Sequence, residues 1–373
     1  MLFRSRLASA HHRPDESSLL EMALSVADRL SAGTDRAREQ EVDAGDYKKA
    51  RLLSIMQYID PAKAEAQVEA EHQYYRLAPL PDDPFPTSLD AARQTGYAEL
   101  FDAFLQDIDK LPTQMGVAHY IASLQSLLEK HMWCVPSSTY RTDPDISLYD
   151  HALTTAAIAQ ALAVYHEEQG GMPGNNRASE SKLLLFGGDL SGIQRYIFGI
   201  EKSHGAGVAK ILRARSFLLQ AITRSIVNSL LDRLGLMAQA RIMDAGGRFL
   251  LLLPSTEKVH SMLPGFEAEV QRWFLDAFQA EVTMPLAYST TLCESDLNME
   301  RFQDKLNAFH AELDRKKLCR FQALTGESLS PVFAMDYSAY SEGACQVCNV
   351  HPVDTESRQS FLQEYGRDIA ICS

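Results

Sequence analysis

An α+β fold is predicted for residues 182–298 from three features of the sequence. Residues 183–186 and 248–253 form short, largely apolar runs, which are typical of buried strands. Apolar residues recur at helical spacing over 208–234 and again over 256–278. The stretch Asp244-Ala245-Gly246-Gly247 is a tight-turn signal between a strand candidate at 239–243 and the run at 248–253. An alternating stretch at 286–293 adds a last strand, so the predicted order is β-α-β-β-α-β, the ferredoxin-like split motif.

Helices flank this central region on both sides. Apolar periodicity predicts helices over 17–31, 97–108, 117–129, 152–167 and 299–313, and Asp145 or Ser147 is a plausible cap for the fourth. Residues 52–59 are a further strand candidate. Pro264-Gly265 is expected to kink or interrupt the helix at 256–278. Residues 77–88 are expected to form a surface loop, and 170–181 a linker before the central region.

The composition indicates a globular chain without a membrane span. The chain has 373 residues, which suggests two or three domains, and 46% of them are hydrophobic, which is enough for sizeable cores. No apolar run of about 18 residues occurs, and the N-terminal stretch lacks the apolar core of a signal peptide, so we expect a cytoplasmic protein. The net charge of −13 argues against a surface that coats nucleic acid over its whole length, although not against a local groove.

A glycine-rich turn at 187–192 follows the first strand of the central region and is the first candidate site. Glycines let the backbone turn tightly and approach a ligand closely, and Asp189 stands where a strand end can hold a metal or a hydroxyl. Residues 195–224 carry six basic side chains against one acid, Glu201, which suits an anionic partner or a nearby acidic surface. The nucleotide-binding candidates are Gly188, Asp189, Ser191, Gly192, Gly246, Gly247, Arg213 and Arg215. For the two arginines, a solvated helix face is the alternative.

Cysteines near the end of the chain are candidate zinc ligands. Cys345 and Cys348 form a C-x-x-C pair, and Cys372 follows, which would provide three of the four ligands of a tetrahedral site. His351 is a candidate for the fourth, and a cysteine pair without metal is the alternative. The isolated cysteines Cys134, Cys293 and Cys319 are expected in the core.

A second group of possible metal ligands lies near the start of the chain. It comprises His11, His12 and Asp28, for which exposed histidines and an aspartate near a helix end are the alternative. Asp150 and His151 are interpreted as structural residues or as residues that line a cleft.

The central region carries three separated motifs. They are GDLSGIQRYIF at 188–198, AKILRARSF at 209–217 and GGRFLLLLP at 246–254. In this order they closely resemble the first palm domain of the large subunit of type III-A CRISPR effector complexes. The resemblance covers roughly residues 1–373, and it implies that the family chain is truncated at both ends.

The resemblance also implies a division into five parts. Residues 1–45 are expected to be a partial HD-type helical domain, and 46–170 an α/β linking region. Residues 182–298 would be the first palm, 299–340 a helical connector and 341–373 a partial zinc module. HD phosphohydrolases hold metal partly through an adjacent His-Asp pair, and no such pair precedes His11, so the implied single-stranded DNase site is incomplete.

For the whole family protein the resemblance implies two activities. One is cleavage of single-stranded DNA, and the other is synthesis of cyclic oligoadenylates from ATP between two palms, with Mg²⁺ or Mn²⁺. The implied partners are a guide RNA-containing complex with a small effector subunit, and target RNA. This palm is expected to supply one half of the ATP pocket without catalysis, because two-metal chemistry needs carboxylates at the hairpin and Arg248 stands there. The alternatives are a non-catalytic nucleotide-binding scaffold and a stand-alone nucleotidyl cyclase.

Overall fold

The computed structural model describes residues 12–35, 47–58, 72–80, 82–112, 114–139, 144–174, 179–199, 208–326, 337–347 and 351–372. Five helices precede the sheet in the described ranges: α1 (Leu19–Asp35), α2 (Leu89–Ala92), α3 (Tyr97–Ile108), α4 (Val117–Met132) and α5 (Leu148–Gln169). None of the described helices is long and apolar enough to cross a membrane.

The sheet and the helices that connect its strands occupy the middle of the chain. They follow the order β1 (Ser181–Asp189), α6 (Ile193–Phe198), α7 (Val208–Leu234), β2 (Arg241–Asp244), β3 (Arg248–Pro254), α8 (Glu257–Phe278), β4 (Leu286–Ala287) and β5 (Thr291–Cys293). In the described part of the chain, three more helices come after it: α9 (Met299–Leu318), α10 (Gln322–Thr325) and α11 (Thr355–Tyr365).

The strands form one antiparallel sheet with the order β2-β3-β1-β4, in which β5 also pairs with β1. The longest pairing joins β1 to β3, from Leu183 opposite Pro254 to Asp189 opposite Arg248. Helices α6 and α7 connect β1 to β2, and α8 connects β3 to β4, so each long connection returns the chain to the same sheet. The predicted α+β class is confirmed, and the sheet is antiparallel.

Side chains of β1 alternate between two cores. Leu184 and Phe186 pack with α7 and α8 on one face of the sheet, and Leu183 and Leu185 pack with α1, α5 and α9 on the other. Both faces are covered, which explains why the strand is apolar along its whole length. All four side chains have 0% exposure, so truncating one of the leucines to alanine would cost about 2–5 kcal/mol.

Helix positions agree closely with the sequence pattern. Helices α3 and α7 have the predicted bounds, whereas α5 begins at Leu148, four residues before the predicted start. Ser147 is confirmed as the cap of α5, because its hydroxyl accepts a hydrogen bond from the Asp150 N–H at 3.0 Å. Helix α8 is not interrupted at Pro264. This proline is exposed, so water can satisfy the carbonyl that loses its helical partner.

Residues 286–293, predicted as one strand, form two short strands separated by a bulge. Gly187 lies opposite Ala287 in β4, but the register of β5 on β1 is shifted by one residue. Glu312 of α9 explains the break, because its carboxylate accepts from the N–H of Tyr288 at 3.1 Å and of Ser289 at 3.0 Å. These two donors are therefore lost to the ladder.

The strand predicted at 52–59 is wrong over the described residues. Leu53 makes a single isolated bridge with Tyr74, and Ile55–Tyr58 is a 3-10 helix. The hydroxyl of Ser54 accepts from the Met56 N–H at 3.3 Å, a local bond that favours a turn over a ladder. Residue 59 lies outside the described ranges.

Candidate functional site

The end of β1 and the β2–β3 turn lie side by side at one edge of the sheet. Asp189 ends β1 and pairs in register with Arg248, which begins β3. The N–H of Leu190 donates to the carbonyl of Gly247 at 2.8 Å. The structure therefore brings together the predicted residues 188–189 and 246–247.

Asp189 is the electrostatic centre of this edge. Its Oδ2 accepts from Arg248 Nη2 at 2.5 Å and from Lys317 Nζ at 2.9 Å. Lys317 also contacts Asp314 Oδ1 at 3.0 Å. Burial of Asp189 opposes its ionisation, but the hydrogen bonds from the two cations outweigh this effect and hold the pKa of Asp189 below its ordinary value. The same carboxylate raises the pKa of Arg248 and of Lys317.

The glycines of this edge make room mainly for the protein itself. A Cβ on Gly188 would lie 2.8–2.9 Å from three side-chain atoms, and one on Gly247 would lie 2.8 Å from a side chain of α6. A Cβ on Gly192 would lie 2.1 Å from the carbonyl oxygen of Glu281. Gly246 differs, because it has φ +78° and no atom within 4 Å of the Cβ position. Of these four, Gly246 alone faces open space.

The amide of Ser191 is used within the fold. It donates to the carbonyl of Thr283 at 2.8 Å, and the Thr283 N–H donates back to the Ser191 carbonyl at 3.0 Å. The Ser191 N–H is therefore paired with the protein backbone in this structure. Ser191 itself is half-buried.

The two candidate arginines of α7 have different surroundings. Arg215 donates from Nη1 to the carbonyl of Tyr196 at 2.5 Å, and its guanidinium lies 4.8 Å from the centre of the Tyr196 ring. Arg215 therefore anchors α6 to α7. Arg213 is exposed on the same helix.

A second carboxylate near the hairpin is also paired with cations. Oδ2 of Asp244 lies 3.3 Å from Arg224 Nε and 3.4 Å from Arg241 Nη1. Within the described ranges, no three His, Cys, Asp or Glu side chains are grouped so that they could hold a metal ion. Cations, rather than a cluster of acids, therefore characterise this edge.

The family model and the two relatives described next all carry a Csm1 description. Residues 182–334 match the family model described as Csm1 subunit domain B. A CRISPR system single-strand-specific deoxyribonuclease Cas10/Csm1 of subtype III-A from Enterococcus italicus is 30% identical over 353 residues, which are 84% of this chain and 44% of the relative. The protein of the same description from Mycobacterium tuberculosis is 28% identical over 87% of this chain and 42% of the relative.

Residues 182–334 therefore belong to the Csm1 domain B family, and the chain is similar to Cas10/Csm1 proteins of subtype III-A over most of its length. It spans less than half of the length of these two relatives. Among solved structures, a Csm1–Csm4 cassette in complex with cA4 matches with a TM-score of 0.55 and 23% identity, over 96% of this chain and 47% of that chain. A cassette in complex with one ATP matches with a TM-score of 0.56 and 23% identity, over 89% and 42%. These two likenesses establish a shared fold.

Near the start of the chain, the structure pairs Asp28 with a residue of another helix. Asp28 Oδ1 lies 3.2 Å from His151 Nε2, and His151 Nδ1 lies 3.1 Å from the hydroxyl of Ser31. His12 is exposed, and His11 lies outside the described ranges. The sequence carries no signal that links His151 to Asp28.

The cysteine-bearing stretch folds beside the end of the chain. The N–H of Gln346 donates to the carbonyl of Ala370 at 2.7 Å, which places the backbone after Cys345 next to the backbone before Cys372. Cys345 is buried, and its Sγ accepts from the Val347 N–H at 3.3 Å. Cys348 lies outside the described ranges.

Lys317 is the residue of the candidate site that sequence reasoning missed. Basic residues 315–317 lie in the last turn of α9, where they interact favourably with the helix dipole. The structure also turns Lys317 onto Asp189. Sequence spacing carries no signal for this contact, because it joins α9 to β1.

Proposed function

We propose that residues 182–298 are the first palm domain of a type III-A effector subunit and supply one half of an ATP-binding pocket. The antiparallel order β2-β3-β1-β4 with helical connections after β1 and β3 supports a ferredoxin-like palm. The solved relatives in complex with ATP and with cA4 support a nucleotide as the ligand class. The proposed ligand edge is formed by residues 188–192, the 246–248 turn and Lys317.

The observation that carries this proposal is the pair of cations at the open edge beside Gly246. Arg248 and Lys317 share one oxygen of Asp189, and their side chains keep 43% and 28% exposure. A guanidinium has several donors in a fixed fork, so Arg248 can contact Asp189 and a phosphate oxygen together. We assign Asp189 the role of holding the two cations in place for a triphosphate.

The same geometry argues that this palm does not catalyse the reaction. Two-metal phosphoryl transfer needs carboxylates that are open to the metal ions. Oδ2 of Asp189 is occupied by two cations, and Asp244 is paired with Arg224 and Arg241. Synthesis of cyclic oligoadenylates from ATP with Mg²⁺ or Mn²⁺ would therefore require acids from a second palm.

ATP titration of the full chain tests this proposal. With one palm the ligand is covered on one side, so we expect Mg²⁺-ATP to bind with a Kd of about 1 mM, or about 4 kcal/mol. Arg248→Ala and Lys317→Ala should each weaken binding about fivefold, because each removes one charge-assisted contact at a partly exposed site. The control is Lys258→Ala, an exposed cation beyond the opposite end of β3, which should leave the affinity unchanged.

Two results would overturn the proposal. NMR shift changes that avoid residues 187–192 and 246–248 would show that ATP binds elsewhere. Oligoadenylate formed by the pure chain would show that this palm is catalytic, and the Arg248→Ala sample serves to exclude a contaminating enzyme.

We also propose that residues 1–45 are part of an HD-type domain that is inactive in this chain. The carboxylate of Asp28, one of the predicted metal ligands, is paired with His151. The chain with Mn²⁺ and single-stranded DNA should give no cleavage. Cleavage that disappears in Asp28→Ala would refute this. The single-stranded DNA, target RNA, guide RNA complex and small effector subunit are proposed as partners of the whole protein.

Residues 341–373 are proposed as part of a zinc module. The donor set fits zinc, because thiolates are preferred ligands and Cys345 is buried with an N–H···S bond to its sulfur. Cys345 and Cys372 are held on adjacent backbone stretches, and Cys348 follows Cys345 at C-x-x-C spacing. Bound zinc would stabilise this segment locally.

A further inference from the structure

A groove outside the matched residues 182–334 combines an apolar lining with one buried polar atom. It lies between α3, the end of α4 and the start of α5, and has a volume of about 270 Å³. Leu100, Phe104, Met132 and Leu148 are among its lining residues. At about 30 Å³ per water, the volume equals about nine water molecules, which is enough for one aromatic side chain.

His131 is the polar residue of this lining that has an unsatisfied side-chain atom. It is 2% exposed, and its Nδ1 is buried without a hydrogen-bond partner. Its other nitrogen, Nε2, lies 3.0 Å from Oδ2 of Asp107. The hydroxyl of Tyr97, which also lines the groove, donates to the carbonyl of Ala50 at 3.1 Å. Within the described lining, the unsatisfied side-chain nitrogen is therefore Nδ1 of His131.

Asp107 fixes which nitrogen of His131 carries the proton. Its carboxylate accepts from Lys110 Nζ at 2.8 Å and Lys130 Nζ at 2.7 Å, and these bonds together with the one from His131 keep the pKa of Asp107 far below its ordinary value. An ionised carboxylate can only accept, so Nε2 of His131 must donate. In the neutral imidazole, Nδ1 is then a bare acceptor. A group that fills the groove and satisfies this atom must bring an N–H or O–H donor.

The surroundings of the groove favour a side chain of a protein over a small molecule. Phe101 also lines the groove and is 57% exposed, and Leu105, four residues later on the same face of α3, is 43% exposed. A small ligand in the groove would leave this apolar strip in water, whereas a polypeptide that carries the ligand would cover it. Tryptophan and tyrosine are enriched as anchors of interfaces because they combine a large apolar ring with one donor.

We propose that this groove binds a tryptophan or tyrosine side chain of a partner protein, with the indole N–H or phenol O–H donating to Nδ1 of His131. The ring of Phe104 stands edge-on to His131, with 5.6 Å between ring centres. Because Nδ1 is buried, the proposal requires Phe104, which lines the groove beside it, to move as the incoming ring enters. This site is independent of the nucleotide edge of the sheet.

The test uses the full chain at pH 8, where an ordinary histidine is neutral. Indole is titrated against benzothiophene, which has a similar shape and no N–H. Indole should bind about five to ten times more tightly, the factor expected for one neutral hydrogen bond to a buried acceptor. Equal affinities, or no binding of indole, would overturn the proposal.

Variants and a direct measurement separate the hydrogen bond from general packing. His131→Phe should abolish the preference for indole, and His119→Phe, the same change at an exposed position of α4, should keep it. If His131→Phe does not fold, ¹⁵N NMR of the wild-type histidines decides. Nδ1 of His131 should be unprotonated and should shift on adding indole, and a protonated Nδ1 or an unchanged signal would refute the assignment.

A third probe distinguishes a protein side chain from a free small molecule. N-acetyl-tryptophanamide carries the indole on a peptide backbone and should bind at least as tightly as indole, because its backbone can lie along Phe101 and Leu105. Binding of indole with exclusion of the blocked amino acid would mean that the groove takes a small molecule and that the partner-protein proposal is wrong.

Discussion

Replacing Gly192 by alanine should destabilise the fold because the new Cβ has no room. Gly192 has φ +93°, and the left-handed region costs an alanine about 1–2 kcal/mol. The Cβ would also lie 2.1 Å from the carbonyl oxygen of Glu281, against a minimum near 3.0 Å, so the two backbone segments must separate by about 0.9 Å. That movement breaks the two hydrogen bonds between Ser191 and Thr283, each worth about 1 kcal/mol.

The combined cost is about 3–4 kcal/mol, which lowers the Tm by roughly 10 °C for a domain of this size. Gly246→Ala is the matched control, since Gly246 also has positive φ and nothing lies within 4 Å of its Cβ position. Its cost should be about 1–2 kcal/mol, from the backbone conformation alone. Urea denaturation and thermal scans of both variants provide the comparison. If Gly192→Ala were no less stable than Gly246→Ala, the close approach of Gly192 to Glu281 would have no energetic importance.

Four further expectations follow from particular contacts. Asp189→Asn should be less stable than the wild type at pH 7, and the difference should shrink steadily once the pH falls below about 4. The reason is that a lowered carboxyl pKa stabilises the fold above the unfolded-state value and the contribution is lost as pH falls through the folded-state value; a difference that stays constant as the pH falls below 4 would contradict the ion-pair account. Lys182→Met should cost about 3–5 kcal/mol, because Lys182 is 1% exposed and lies 2.6 Å from the buried Glu294, and the added change Glu294→Gln should recover part of that loss in denaturant unfolding. The full chain should hold zinc that a chelator removes readily, and Cys345→Ser should lower the zinc content measured by mass spectrometry; an unchanged content would exclude this thiol as a ligand. In the Arg248→Asp variant, the carboxylates of Asp189 and of the new residue would lie opposite each other and repel unless a cation binds between them. Adding Mn²⁺ should therefore raise the Tm of this variant, whereas the Tm of the wild type should stay constant.

The parts of the fold that sequence could predict are those set by local patterns. Helix α7 begins and ends where its apolar periodicity does, and the continuous apolar run of β1 indicated a strand buried on both faces. The break between β4 and β5 could not be predicted in this way. It depends on Glu312, whose carboxylate takes the N–H groups of Tyr288 and Ser289 away from the ladder.

In the candidate site, too, the local sequence predicts some features, whereas contacts between residues far apart in the sequence decide others. Its glycines mark positions that either approach a neighbour closely or adopt a positive φ, but the sequence cannot show what occupies the space beside each one. At Gly192 the answer is the carbonyl of Glu281, and at Gly246 it is open space. The contact of Lys317 with Asp189 was not predictable either, because it joins two elements with no shared local pattern.

The antiparallel register explains why a charge reversal at one position changes the chemistry of the whole edge. Asp189 and residue 248 are directly opposed, and like charges at such positions repel one another. An acid at 248 would therefore be tolerated mainly with a divalent cation between the two carboxylates. With arginine there, Asp189 is neutralised inside the protein, and the guanidinium keeps donors for an anion. Lys317 adds a second cation to the same oxygen, so Oδ2 of Asp189 is occupied by two cations and the edge is suited to bind phosphate.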